Sequence, residues 1–390
     1  MQKVIVGMSG GVDSSVTAYI LKKEGYDVEG ISFILCEAQN LNPLKPCCSL
    51  QAIGTAEKTA RQLRIRHSII DARKSFISRV VRPFVNAYYA GTTPNPCILC
   101  NRHIKFPYLL KEAEKRDAQY IATGHYAKVE HINKLNNPPS PPFRKGGMGG
   151  FENSYFFLKK GIDPKKDQSY FLYILRQEEL KRLILPLGYY KKNEVRKIAQ
   201  DLDLSAVKRP ESQEVCFIED RNYFHFIERF SSFQSKTGPI VDSDGNVIGT
   251  HKGIHNFTIG QRKGLGISSR QPLYVLKIDA VKNIVYVGNS EAAKMKEIFV
   301  GRLNWINPPI PPLVKGGEGE VAFRALVKVR SAMKEQPATI NVLKSKKLRG
   351  VKAVRITFDE PQWAPAPGQS AVFYDGDIVT GGGIIFATHI

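Results

Sequence analysis

The tightest constraint on this chain lies within its first 24 residues. Lys3–Gly7 is a short β-branched run, Ser9-Gly-Gly-Val-Asp-Ser14 is a glycine-rich turn, and Asp13–Glu24 carries Val16, Tyr19 and Ile20 on one helical face. A strand that breaks through glycine into a helix opens a βα unit. The alternation continues: Val28–Phe33 predicts a strand, Thr55–Leu63 a helix, and His67–Asp71 and Tyr120–Thr123 further strands. Strands separated by helices imply a parallel sheet with helices on both faces, hence an α/β domain. Ligands of such sheets bind beyond the carboxyl ends of the strands, so Gly7–Gly11, Phe33–Cys36 and Gly124–His125 are expected along one rim.

The pattern changes near residue 208. Glycine-punctuated segments give way to short alternating runs at Leu273–Asp279, Ile284–Gly288, Ala322–Val329, Ala353–Phe358 and Ala371–Tyr374, which predict a β-rich, barrel-like C-terminal region. The expected division is 1–208, a small central domain at 209–290, and a β-rich domain at 291–390. One repeat interrupts it twice: Asn137-Pro-Pro-Ser-Pro-Pro-Phe-Arg-Lys-Gly-Gly147 and Asn307-Pro-Pro-Ile-Pro-Pro-Leu-Val-Lys-Gly-Gly317. Proline lacks the amide that a ladder needs, so neither copy is expected inside an element. Surface-loop insertions at about 133–153 and 305–319 fit better than P-x-x-P ligands, because loops accept length cheaply.

Charge narrows the partner. With 57 Lys and Arg against 36 Asp and Glu, the formal net charge is +21 and the pI about 9.6, which fits a polyanion. The opening residues show no basic segment, apolar core and cleavage site of a secretory signal, and no apolar run approaches bilayer-spanning length. A cytoplasmic chain with no membrane partner is expected, its six cysteines reduced.

Several segments carry chemistry. The glycines of Ser9–Ser14 let backbone amides converge on an anion at a helix N-terminus, and no Gly-Lys-Ser/Thr follows to make a Walker loop. Thr93-Pro-Asn-Pro-Cys-Ile-Leu-Cys-Asn101 holds a C-x-x-C pair, and its prolines predict a rigid, extended loop presenting the thiols. By itself the pair admits a redox, a metal or an accidental reading. Cys36, Cys47, Cys48 and His103 supply no second ligand pair for zinc, so no metal site is expected. Cys216, alone in Ser212-Gln-Glu-Val-Cys-Phe-Ile218, is either a buried small hydrophobe or a reactive thiol.

Taken in order, SGGVDS, TPNPCxxCN, ATGHYA, KDQSYFLY, SQEVCFI, TIGQRKGLGI and PGQSAVFYDGD resemble the bacterial tRNA-specific 2-thiouridylases of the PP-loop ATP-pyrophosphatase superfamily. The resemblance runs through nearly the whole chain apart from the two insertions. It implies that Gly7, Met8, Ser9, Gly10, Gly11, Val12, Asp13 and Ser14 hold ATP phosphates in a catalytic domain at 1–208, with Phe33 and Gly124 near the base. It implies Cys216 as the persulfide carrier and Cys100 as its partner, ending in a disulfide. Asn95, Pro96 and Cys97 would cradle the flipped wobble uridine, position 34. Lys166, Asp167 and Gln168, with Arg330 and Ser331, match tRNA-contacting positions, while His125 and Gln369 match positions that shape tRNA placement. The chain departs from the pattern at Phe33, where methionine is common, and at Thr92, where a basic residue is usual.

ATP, Mg²⁺, tRNAs for Lys, Glu and Gln, and a cysteine desulfurase or sulfur-relay protein are the implied cofactors and partners, and the central domain is expected to bind tRNA. Adenylation turns the C2 oxygen of uridine into a leaving group, and persulfide sulfur replaces it. The thiolate being the active form, both cysteines are expected in an electropositive, partly exposed setting. Three other readings compete: an amidating PP-loop ligase, an iron–sulfur tRNA thiolase using Cys97, Cys100 and Cys216, and a non-catalytic tRNA-binding module.

Overall fold

The computed structural model describes residues 1–35, 50–133, 154–209, 215–218, 223–231, 233–306, 314–315, 321–343 and 353–388. Cys36, Cys47, Cys48, the first copy of the repeat and most of the second lie outside the described residues, so the surface-loop expectation for the first copy does too.

Five parallel strands build the first domain: β1 (Lys3–Gly7), β2 (Asp27–Ile34), β3 (Arg66–Asp71), β4 (Tyr120–Ala122) and, after a hairpin of β5 (Ala127–Asn133) and β6 (Ser154–Lys160), β7 (Leu183–Ile184). Their order is β3-β2-β1-β4-β7. The chain winds outward from β1 to β3 and then returns to the other side of β1, so connections diverge between β1 and β4 and leave a crevice at their carboxyl ends. The helices of this part are α1 (Val12–Lys23), α2 (Leu50–Gln62), α3 (Arg73–Phe76), α4 (Arg82–Tyr89), α5 (Pro96–Cys100), α6 (Phe106–Lys115), α7 (Gln177–Lys181) and α8 (Lys192–Asp201). β1 shows why both faces are covered. Val4 and Val6 pack into one core with Val16 and Leu21 of α1, while Ile5 points the other way, into a core with Ile98, Phe106 and Leu109. α2 begins at Leu50, earlier than its Thr55–Leu63 signal.

A short helix, α9 (Tyr223–Phe230), which the glycine-rich reading of this region misses, leads to a four-stranded sheet: β8 (Gly238–Val241), β9 (Val247–His251), β10 (Tyr274–Asp279) and β11 (Ile284–Gly288), in the order β10-β11-β8-β9. The last part is a barrel. β12 (Lys294–Trp305), β14 (Val321–Lys328), β15 (Gln336–Leu343), β16 (Ala353–Trp363), β17 (Ser370–Asp375) and β18 (Ile378–Ala387) run β12-β16-β15-β14-β17-β18, and β18 pairs back to β12. Closure leaves no free edge in that ring. A two-residue strand, β13 (Val314–Lys315), pairs with β14 through Val314–Ala322 and Lys315–Val321. It lies inside the second repeat, so that copy does contribute to an element, contrary to expectation: Val-Lys sits beyond the prolines and retains the amides a ladder needs.

The barrel is welded to the first domain. The β5–β6 hairpin joins β18 through Lys159–Ile378, and Lys160 pairs with Glu335 at 2.7 Å. Within KDQSYFLY, the Tyr170 hydroxyl donates to the Ser370 carbonyl (2.8 Å), and the Tyr173 hydroxyl meets Ser370 Oγ (3.1 Å). Asn304 Nδ2 of β12 donates to the Tyr173 and Leu175 carbonyls (2.7 and 3.0 Å). Both tyrosines are fully buried, so most of that segment is a domain junction.

Candidate active site

The crevice at the β1/β4 switch point is a cleft of about 870 Å³ including its open mouth, lined by Gly7, Met8, Ser9, Asp13, Ser14, Phe33, Gly124, His125 and Gln168 among others. The three rim segments expected from the sequence therefore do meet, Cys36 lying outside the described residues. Gly10, Gly11 and Val12 complete the turn into α1. Its geometry is held locally: Ser9 N donates to Ser14 Oγ (3.1 Å), and Ser14 Oγ donates to the Gly11 carbonyl (3.1 Å). The first α1 amides face the cleft with the positive end of the helix dipole behind them, which suits phosphate.

Asp13 is tied down by residues that nothing in the sequence joins to it. Its Oδ1 accepts from Lys192 Nζ of α8 at 2.6 Å and from the Tyr126 hydroxyl at 2.7 Å. Lys192 is only 7% exposed. Ser32 Oγ donates to the Met8 carbonyl (2.7 Å), and the Arg209 guanidinium donates to the Ser9 carbonyl (3.3 Å). Sequence reasoning missed Lys192 and Arg209, which lie about 180 and 200 positions from the turn. Tyr126 could have been found, since it belongs to ATGHYA.

The cysteine loop departs from the extended form expected. Asn95 caps a helix, its Oδ1 accepting from Ile98 N at 3.3 Å, and Pro96 occupies the first turn. Asn before Pro is a helix-start signal: the missing proline amide is one no helix start could pair, and the proline φ is already helical. Cys97 and Cys100 thus ride on α5, which continues through a π-helical turn, Asn101–Lys105, into α6.

The barrel clasps the start of this loop. Thr93 N donates to the Pro367 carbonyl (2.8 Å), and Gln369 Nε2 donates to the Thr93 carbonyl (3.1 Å). Between them Gly368, at φ +93°, approaches so closely that a Cβ would stand 2.9 Å from Thr93 N and O. Gln369 therefore acts on the loop from behind, through backbone.

Cys216, brought from a distant segment, packs partly buried against the cluster that holds Cys100, Ile104, Phe84 and Phe217. Cys216 lies close enough to disfavour ionisation of both Cys97 and Cys100, and Cys97 adds to the effect on Cys100. The setting is drier than expected. Cys100 is 5% exposed, and burial pushes its thiol up to about 12 and that of Cys97 to about 11. The Lys105 ammonium opposes both shifts without overcoming them.

Other expected contacts turn inward. His125 is buried, its Nδ1 2.7 Å from Thr123 Oγ1, and desolvation with Lys105 nearby drives it down to about 3, so it is neutral at ordinary pH. Asp167 accepts from Gly161 N, Ser169 N and Ser169 Oγ, shaping its own turn. Gln168 accepts from Tyr126 N (3.1 Å) and borders the cleft. Arg330 donates to the carbonyls of Ile259 (3.0 Å) and Ala364 (2.6 Å), riveting the central sheet to the barrel. Lys166 is partly exposed, and Ser331 is exposed.

Among the described residues no three of His, Cys, Asp and Glu are grouped so that they could hold a metal ion. No helix is long and apolar enough to cross a membrane, among the same residues.

Three family models match consecutive parts of the chain: a tRNA methyl transferase HUP domain at residues 2–220, a tRNA methyl transferase PRC-barrel domain at 225–289, and an aminomethyltransferase beta-barrel domain at 295–385. Among curated relatives, tRNA-specific 2-thiouridylase MnmA 2 of Thermoanaerobacter pseudethanolicus is 44% identical over 386 residues, covering 98% of this chain and 97% of that one. Its counterpart in Halothermothrix orenii is 42% identical over 99% of both chains, and that of Clostridioides difficile 40% over 98% of both. A solved 4-thiouridine synthetase–RNA complex with bound ATP is a looser likeness, with 18% identity over 59% of this chain and 50% of that one and a TM-score of 0.34. Identity of 40–44% along nearly the full length of several relatives has one consequence: this chain belongs to the tRNA-specific 2-thiouridylase family.

Proposed function

We propose that the chain replaces the C2 oxygen of the wobble uridine, position 34, of tRNA with sulfur, consuming ATP and releasing AMP and pyrophosphate. The observation that carries this reading is the adjacency of two sites. An anion-binding turn opens into a cleft at the sheet switch point, and Lys105 borders that cleft while acting on the Cys97 and Cys100 thiols. Activation and sulfur transfer need that adjacency, because the adenylated base must meet the sulfur donor without leaving the protein. An amidating ligase would need the turn but not three converging thiols, and methyl transfer would need neither.

Each part has a task. The turn amides and α1 dipole hold the triphosphate, with Mg²⁺ carried on its oxygens and neutralising their charge. Asp13 is fixed by Lys192 and Tyr126. Asn95 caps α5 where a uridine flipped from its stack would enter. Cys216 receives sulfur as a persulfide from a cysteine desulfurase or relay protein, and Cys100 displaces it, leaving a Cys100–Cys216 disulfide for a thiol reductant to reopen. tRNAs for Lys, Glu and Gln are the expected substrates, the basic surface their means of capture, and the cytoplasm the site of reaction.

Incubation with ATP, Mg²⁺, a cysteine desulfurase, cysteine and unmodified tRNA, followed by nucleoside mass spectrometry, tests the reading. 2-Thiouridine formed with stoichiometric pyrophosphate supports it. Pyrophosphate release that does not depend on tRNA, with no thiolated nucleoside, would sink it.

A further inference from the structure

The two half-sites share one cation. Lys105 borders the nucleotide cleft and bears electrostatically on Cys97, Cys100 and His125. Its position depends on a helix irregularity. In an unbroken α-helix, at about 100° per residue, Lys105 would stand about 140° around the axis from Cys100. The π-helical turn Asn101–Lys105, closed by Phe106 N to the Asn101 carbonyl, in effect adds one residue to that turn. Lys105 then falls where the fourth residue after Cys100 and the seventh after Cys97 would ordinarily lie, on the face carrying both sulfurs. Ile104 is thereby left in the core, fully buried beside Cys100.

We propose that Lys105 is the positioning cation of the sulfur-transfer step, stabilising the Cys100 thiolate that attacks the Cys216 persulfide. Cys100–SH first loses its proton to solvent. The thiolate attacks the inner sulfur of Cys216–S–SH, forming the Cys100–Cys216 bond and expelling HS⁻, which displaces AMP from the activated base. Burial leaves Cys100 protonated at rest, so the step requires a charge that opposes burial, and Lys105 supplies one. The titratable groups acting on the Cys100 sulfur are Lys105, Cys97 and Cys216. Arg79 and Arg102, the neighbouring cations, act on His103 instead.

The assignment rests on the thiolation reading, but its test does not. In a Cys97→Ser/Cys216→Ser background, without ATP or tRNA, the rate of Cys100 alkylation by iodoacetamide is followed against pH in the full chain. Lys105→Gln is expected to move the profile up by about one pH unit, a roughly tenfold loss of rate at fixed pH below it, and Lys105→Arg to restore it within about threefold. Lys105→Met serves as the second variant if Gln lowers the melting temperature. An unshifted profile in the Gln and Met variants, or an equal loss in Arg, overturns the assignment and leaves thiolation itself untouched.

Discussion

Removing Asp13 should do two separable things, and the geometry says how to separate them. Its carboxylate holds Lys192 Nζ at 2.6 Å, with the lysine side chain 9% exposed and the aspartate 35%. A fully buried pair that loses one partner costs about 3–5 kcal/mol, and an exposed pair less than about 1 kcal/mol. With the lysine end dry and the aspartate end one-third wet, Asp13→Ala should cost about 2–3 kcal/mol, most of it from the ion pair lost at the dry lysine end. Lys192→Met leaves a carboxylate that water and Tyr126 still serve, and should cost about 1 kcal/mol. At about 2–4 °C per kcal/mol for a domain of this size, Asp13→Ala lowers the first melting transition by roughly 4–12 °C. The double variant should melt above Asp13→Ala, because it no longer buries an ammonium that has lost its carboxylate. Scanning fluorimetry reads the stability and a coupled pyrophosphate assay the chemistry. The double variant should recover the melting temperature but not pyrophosphate release, with tRNA still bound. Additive melting shifts would refute the ion-pair argument; recovered release would remove Asp13 from the nucleotide site.

Arg330→Met should destabilise the chain by about 2–4 kcal/mol, because two carbonyls lose a charged donor, yet leave the salt dependence of tRNA binding as it was. Lys166→Ala should instead lower the slope of log affinity against log salt by about 1 while ATP affinity holds; titrations at several salt concentrations check both. Gly368→Ala must place a Cβ 2.9 Å from the Thr93 backbone at φ +93°. It should cost about 2–4 kcal/mol and slow 2-thiouridine formation with ATP affinity unchanged, as calorimetry and single-turnover assays will show. Cys216→Ser should abolish ³⁵S persulfide loading but permit adenylation, whereas Cys100→Ser should load sulfur on Cys216 and fail to transfer it. Label found on Cys97 in the wild type would overturn that division.

Local order was legible where one periodicity ruled. β1, the glycine turn and α1 read directly, because a strand buried on both faces and an amphipathic helix each impose their own spacing. The same held for Ile284–Gly288, which is β11 residue for residue. Legibility failed where two rules competed. In Thr93–Asn101 two rules share one residue: Asn95 keeps the extended backbone that a residue before proline prefers and also caps α5, so an extended signal at Asn95 hid the helix that starts after it. β18 had no strand signal among the runs read from the sequence, since Gly381–Gly383 lack the side chains that mark one. These glycines lie where neighbouring backbones press in: a Cβ there would meet the carbonyls of Asn304, Ala371 and Gly301 at 2.5–2.7 Å.

What the sequence alone determined was the chemistry on offer: an anion-binding turn, thiols in two distant segments, and a charge suited to RNA. Each of those depends on residue identity and short spacing, which a linear reading preserves. Only the tertiary structure decided how those groups are tuned. Lys192 reaches Asp13 across 179 positions, the barrel reaches Thr93 across 276, and burial rather than local charge governs Cys100. Desolvation and long-range pairing depend on which surfaces meet, and no window of sequence contains both surfaces.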